Sequence, residues 1–171
     1  MLWRAIRLAK ESKAFDRIVV STDNICVLRF LEKEGVSWVM REHDDGKKGT
    51  VEVTREAAQA YKESTLFRPD YVCCLYPCTP LLLPEDLRES FIEHEIQNRW
   101  HTIAIGVDPI SDAGAFYWHT WGPLMRKESL YAKGHTGFHI LPKERVCDIN
   151  TPEDWARAEQ LYEEMQHGNA G

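Results

Sequence analysis

The chain has 171 residues, 43% of them hydrophobic and 28% charged, with a formal net charge of -6. That length suits a single domain over residues 1–171 with a real core. The acidic balance excludes a general nucleic-acid binder, which needs surplus Lys and Arg to replace phosphate counterions.

No apolar stretch reaches the ~18 residues of a membrane span. Arg4 and Arg7 interrupt the apolar start, which therefore does not read as a signal peptide. Cys26, Cys73, Cys74, Cys78 and Cys147 form no C-x-x-C set, so no zinc site is expected and a reducing cytoplasm is the natural location.

Leu2, Ile6 and Ala9 have helical spacing within residues 2–14. Arg17 to Asp23 is a short β-branched run that ends in polar residues, a buried strand with its carboxyl end at a site. A helix from Asn24 to Glu34 closes on Gly35, and Val36 to Met40 is a second strand. Arg41 to Gly49 is a polar loop, after which Thr50 is expected to cap a helix running to about Lys62.

Tyr71 to Leu75 is the next strand, followed by Tyr76-Pro77-Cys78-Thr79-Pro80. Pro84-Glu85-Asp86 opens a helix with proline in its first turn and two acids favourable to the helix dipole. Thr102 to Val107, Phe116 to Trp118 and Gly137 to Leu141 are further strands. Thr151-Pro152-Glu153-Asp154 starts the last helix with an N-cap, a proline and an acid at the third position, and Gly168 to Gly171 should fray. Strands alternating with helices predict an α/β fold of three layers around a mostly parallel sheet. Ligands of such folds bind beyond the carboxyl ends of the strands.

Ser21-Thr22-Asp23 lies at such an end, where hydroxyls and a carboxylate could meet a nucleotide; alternatively Asp23 or Asn24 only caps the next helix. Asp44 to Thr50 precedes a helix whose free N–H groups could hold a phosphate, but it lacks the first glycine of a Walker A loop and also reads as a solvated loop. Pro77 and Pro80 flank Thr79 right after a strand, which favours a ligand-facing loop over a plain turn. Asp148 and Asn150 alternate in an extended segment and so point the same way, a candidate Mg²⁺ site in which Asn150 brings no charge and also reads as structural. Asp112 to Trp118 sets an acid and a glycine turn against aromatics, a pattern more typical of a core. His135 and His139 receive no catalytic role.

Several of these segments resemble one family in order along the chain. Phe15 to Asp23 is similar to the strand ending Val-Ser-Thr-Asp in acylneuraminate cytidylyltransferases. Val39-Met40-Arg41, then Asp45 and Gly49-Thr50, resembles their Arg-Pro…Asp…Gly-Thr stretch, with Glu42 and His43 breaking the Arg-Pro. Tyr71 to Pro80 and Pro84 to Leu87 fit as well. Asp112 to Trp118 is similar to Asp-Ala-Gly-Gln-Phe-Tyr-Trp of the pseudaminic-acid branch, and Arg145 to Trp155 to its Asp-Ile-Asp-Thr-Pro-Glu-Asp-Trp.

The resemblance implies a CMP-sugar synthetase with the nucleotide-diphospho-sugar transferase (Rossmann-like) fold. Such enzymes transfer CMP from CTP to a nine-carbon acidic sugar of pseudaminic or sialic type, with Mg²⁺ balancing phosphate charge. By resemblance, Ser21, Asp23, Arg41 and Thr79 would line the nucleotide and sugar pocket, and Asp148 and Asn150 the metal.

Departures from the family pattern imply weakened activity. The basic glycine-rich loop and first strand are missing, a block is absent between Pro109 and Asp112, and Asn150 and Ala115 replace the family's Asp and Gln. Lys47, Lys48 or a second chain would then have to supply phosphate grip. The alternatives are a non-catalytic nucleotide- or sugar-binding descendant, or a fragment stabilised by oligomerisation. The family-type dimer is not expected, and other self-association is left open.

Overall fold

The computed structural model describes residues 1–42 and 47–168. Helix α1 (Leu2–Ser12) leads into β1 (Val19–Thr22), α2 (Ile25–Glu34) and β2 (Ser37–Met40). Then come α3 (Thr50–Thr65), β3 (Tyr71–Leu75), α4 (Pro84–Ile96) and the hairpin of β4 (His101–Val107) and β5 (Ile110–Thr120). Short α5 (Trp121–Met125), β6 (Thr136–Ile140), a 3₁₀ turn at Lys143–Arg145 and α6 (Pro152–Gly168) complete the order.

The α/β class is as expected, and the strands divide between two sheets. β1 and β2 pair in parallel, with Ser21 opposite Val39. The second sheet runs β3-β5-β4-β6; β4 and β6 are parallel, and β5 runs against both of its neighbours. β5 is longer than its aromatic run predicts because it begins right after the Asp108-Pro109 turn, where the sequence reading placed the missing block.

Cys73 and Cys74 point to opposite faces, as the strand period requires. On the Cys73 side, Leu8 of α1 and Leu87 and Phe91 of α4 pack with Phe116 and Trp118 of β5. On the Cys74 side lies Thr54 of α3, whose hydroxyl donates to the Thr50 carbonyl at 2.7 Å. The four-stranded sheet is thus covered on both faces near β3. Helix α1 also serves the smaller sheet, where Ile6 packs with Leu31, Val36 and Val20.

Local signals explain the ends that frame the site. Asn24 accepts the Cys26 N–H to start α2, and Gly35 ends it at φ 63°. Gly49, not Thr50, is the cap residue of α3, and the Thr50 hydroxyl bonds the Tyr76 hydroxyl at 2.7 Å instead. The last helix has a reciprocal box: the Thr151 hydroxyl accepts the Asp154 N–H at 3.2 Å, and Asp154 accepts the Thr151 N–H at 2.9 Å. Of the tail expected to fray, Gly168 is the last residue of α6, and Asn169 to Gly171 lie outside the described residues. No helix among the described residues is long and apolar enough to cross a membrane.

Candidate functional site

The sequence-predicted site residues fall into two groups at strand carboxyl ends. The first joins Ser21, Asp23 and Arg41 where β1 and β2 finish. The Arg41 N–H donates to the Thr22 carbonyl at 3.0 Å, which extends the β1–β2 pairing past Met40. Its guanidinium then lies beside Asp23, Nη2 to Oδ1 3.7 Å. Two polar atoms here are buried without a partner among the described residues: Ser21 Oγ and Arg41 Nε. Leaving such an atom unpaired costs roughly 1–3 kcal/mol, which a ligand can recover.

The second group lies beyond β3. The Ile149 N–H donates to the Cys78 carbonyl at 3.0 Å, laying the Asp148 segment beside the Tyr76–Pro80 loop. Thr79 is buried and its hydroxyl donates to the Tyr76 carbonyl at 3.0 Å, so its side chain shapes the loop. Asp148 Oδ2 accepts the side-chain amide of Asn150 at 2.9 Å, while Oδ1 is buried without a partner of hydrogen-bond geometry. Burial and then Asp148 push the Cys78 thiol up to about 12, so a neutral S–H faces the carboxylate.

Beneath this segment, Leu81, Cys147 and Ala158 form a small core with Ile149 and Leu161, docking α6 under the candidate metal ligands. Arg145 Nη2 holds Asp86 Oδ1 at 2.5 Å, and Asp86 Oδ2 also accepts the Leu83 N–H that opens α4. The segment carrying Asp148 is therefore tied at both ends. No hydrogen bond or ion pair between described residues joins the two groups directly.

Two further features escaped the sequence reading. The β4–β5 register slips, with Ile103 opposite Tyr117 but Ile105 opposite Asp112. The resulting bulge, with Gly114 at φ 60°, brings Asp112 back onto Tyr117, whose hydroxyl meets both carboxylate oxygens at 2.9 Å. Burial and then Asp112 raise the Tyr117 phenol well above its ordinary value, so it stays a donor. Tyr117 is buried, as the aromatic pattern predicts, but the glycine was the only sign of the bulge. The second feature is a cavity of about 460 Å³ between the start of α3, Asp112 and Lys127, with Arg55 in its wall. Nothing in the helical period marks Arg55 as other than a solvated residue.

Of the Asp44–Thr50 phosphate candidate, Asp44, Asp45 and Gly46 lie outside the described residues. Lys48 Nζ bonds Glu56 at 2.8 Å. His139 bonds Glu93 at 2.8 Å and His135 stacks on Trp100.

A sequence model of a family described as cytidylyltransferase matches residues 1–140, most of the chain. The chain belongs to this cytidylyltransferase family. Pseudaminic acid cytidylyltransferases from two strains of Campylobacter jejuni are each 26% identical over 204 positions, covering 97% of this chain and 86% of theirs. The aligned span exceeds the 171 residues present, so those relatives carry residues that this chain lacks.

Among solved structures, CMP:2-keto-3-deoxy-manno-octonic acid synthetase complexed with CTP superposes at a TM-score of 0.70 with 12% identity, covering 94% of this chain and 87% of the other. Rv0371c of Mycobacterium tuberculosis in complex with manganese reaches 0.62 with 17% identity, covering 95% and 86%. At such identities these structures establish the shared fold. The expected resemblance to CMP-sugar synthetases is borne out by the family match and the curated relatives together.

Proposed function

We propose that this cytidylyltransferase transfers CMP from CTP to an acidic sugar of the pseudaminic or sialic type. The observation that carries the reading is the pair of orphaned buried atoms, Ser21 Oγ and Arg41 Nε, at the strand ends where an α/β fold binds its ligand. The serine hydroxyl and the guanidinium suit a nucleotide: one hydrogen-bonds a base or ribose, the other a phosphate. Asp23 holds Arg41 in place, and Thr79 fixes the loop along which the nucleotide lies. In the transfer, the acceptor hydroxyl oxygen bonds the α-phosphorus and the α–β anhydride bond breaks. Pyrophosphate departs and the hydroxyl proton passes to solvent.

A divalent metal fits Asp148 and Asn150. Asp148 offers a buried free lone pair at Oδ1, and the Asn150 side chain has a carbonyl oxygen besides the amide it gives to Asp148. No set of three His, Cys, Asp or Glu side chains among the described residues could hold a metal alone. That suits Mg²⁺, which takes one or two protein ligands and completes its shell with phosphate oxygens and water. When bound, the ion would neutralise charge on the phosphates. The manganese complex of the Mycobacterium tuberculosis neighbour supports divalent-metal use.

A second reading, binding without turnover, rests on Asn150 itself, since its neutral amide leaves Asp148 as the one charged ligand of the pair. Calorimetry with CTP and Mg²⁺, followed by pyrophosphate release on adding pseudaminic acid, separates the two. Turnover that rises at least tenfold in Asn150→Asp supports transfer through this site. CTP binding without pyrophosphate in either protein supports the second reading, and absence of CTP binding defeats both.

A further inference from the structure

Arg55 has a charge that the protein itself leaves partly unanswered. It sits one turn into α3, its side chain four-fifths buried, and its Nε is buried with no partner among the described residues. Its nearest acid, Glu56, is 3.8 Å from Nη2 and is already bonded by Lys48 at 2.8 Å. A buried guanidinium N–H without an acceptor is costly unless a ligand supplies one.

The cavity that Arg55 lines also presents Lys127, the Tyr117 hydroxyl, Thr50 and the carboxylates Asp112 and Glu52. Tyr117 and the Gly114 N–H already bind Asp112, whose remaining lone pairs can accept sugar hydroxyls. Two cations balanced by two carboxylates leave no net positive charge to offset a triphosphate but suit a polyhydroxylated molecule with one acid group. The volume, about 460 Å³, is in the range of small-ligand pockets. The Asp148 carboxylate occupies the space a Cβ at Gly114 would need, so the bulge that carries Asp112 to this cavity lies next to the candidate metal ligands.

We infer that Arg55, with Lys127 beside it, grips the carboxylate of the acceptor sugar and makes the protein select acidic over neutral acceptors. The inference rests on the acceptor reading above. The planar fork of arginine matches a carboxylate through two parallel N–H donors, which a lysine cannot reproduce.

The test is titration of the full chain, with CTP and Mg²⁺ present, against pseudaminic acid and 2-keto-3-deoxy-manno-octonic acid, each as free acid and methyl ester. Arg55→Gln should weaken the better-bound free acid at least tenfold while leaving its ester and CTP unchanged. Arg55→Lys should recover part of the loss, and Lys127→Gln should show a smaller, severalfold loss. Retained CTP affinity reports that each variant is folded. Equal weakening of acid and ester, loss of CTP affinity instead, or no change in Arg55→Gln would each overturn the inference while the acceptor reading stands. A wild-type protein that binds CTP but neither acid overturns the acceptor reading, and the inference with it.

Discussion

Gly114 and Asp148 are packed so closely that a Cβ added at position 114 would stand 2.7 Å from Asp148 Oδ2. Gly114 also has φ 60°, where an L side chain is strained. Position 114 thus demands glycine twice, once for the β5 bulge and once for the approach of the carboxylate. Gly114→Ala should cost about 1–3 kcal/mol in stability from the backbone and the displaced contact. It should also weaken Mg²⁺-dependent CTP binding, because Asp148 must move. Thermal melting with calorimetry on the variant measures both, and unchanged melting with unchanged CTP affinity would show that the contact has no consequence.

What was legible in the sequence was local. The reciprocal bonds of Thr151 and Asp154, the left-handed Gly35 and the strand from Tyr71 to Leu75 all follow from residues within a few positions of one another. The pairing of Asp148 with Asn150 was legible as a shared face, although the hydrogen bond from the Asn150 amide to the Asp148 carboxylate was not. Division of the strands into two sheets is a matter of long-range pairing, which no local pattern encodes. Arg55 stayed hidden for a related reason: the cavity it lines is completed by residues far along the chain, Asp112 and Lys127 among them.

Arg145 anchors the approach to Asp148 through its bond to Asp86, which is almost fully buried. Arg145→Met removes the cation and leaves that carboxylate with the Leu83 N–H as its remaining partner. A loss of about 2–4 kcal/mol is expected, because an uncompensated buried charge is worse than no charge. Adding Asp86→Asn to the same protein should restore part of it, since the neutral amide can still accept the Leu83 N–H. Urea denaturation of the single and double variants checks this, and a double variant weaker than Arg145→Met would refute the charge argument.

Buried imidazoles predict loss of stability in acid. His94 of α4 bonds Thr102 at 2.9 Å and Thr120 at 3.1 Å on one side of the second sheet, while His101 and His119 bond each other through Nδ1 at 2.8 Å. All three rings are fully buried. Burial lowers His94 to about 4 and His119 to about 3, and lowers His101 as well; neighbouring imidazoles add repulsion for His94 and His119, and the Glu128 backbone and charge partly offset burial at His101. In the unfolded chain these groups titrate near their ordinary value of 6.5. Between 6.5 and about 4 the unfolded chain therefore binds more protons than the native one, so stability is fully present above 6.5 and falls as pH drops through that window. With about two protons taken up on unfolding, the slope approaches roughly 3 kcal/mol per pH unit. His94→Gln and His119→Gln remove titrating groups and should each flatten the decline of unfolding free energy between pH 6.5 and 4. Equal slopes in wild type and both variants would place the acid sensitivity elsewhere.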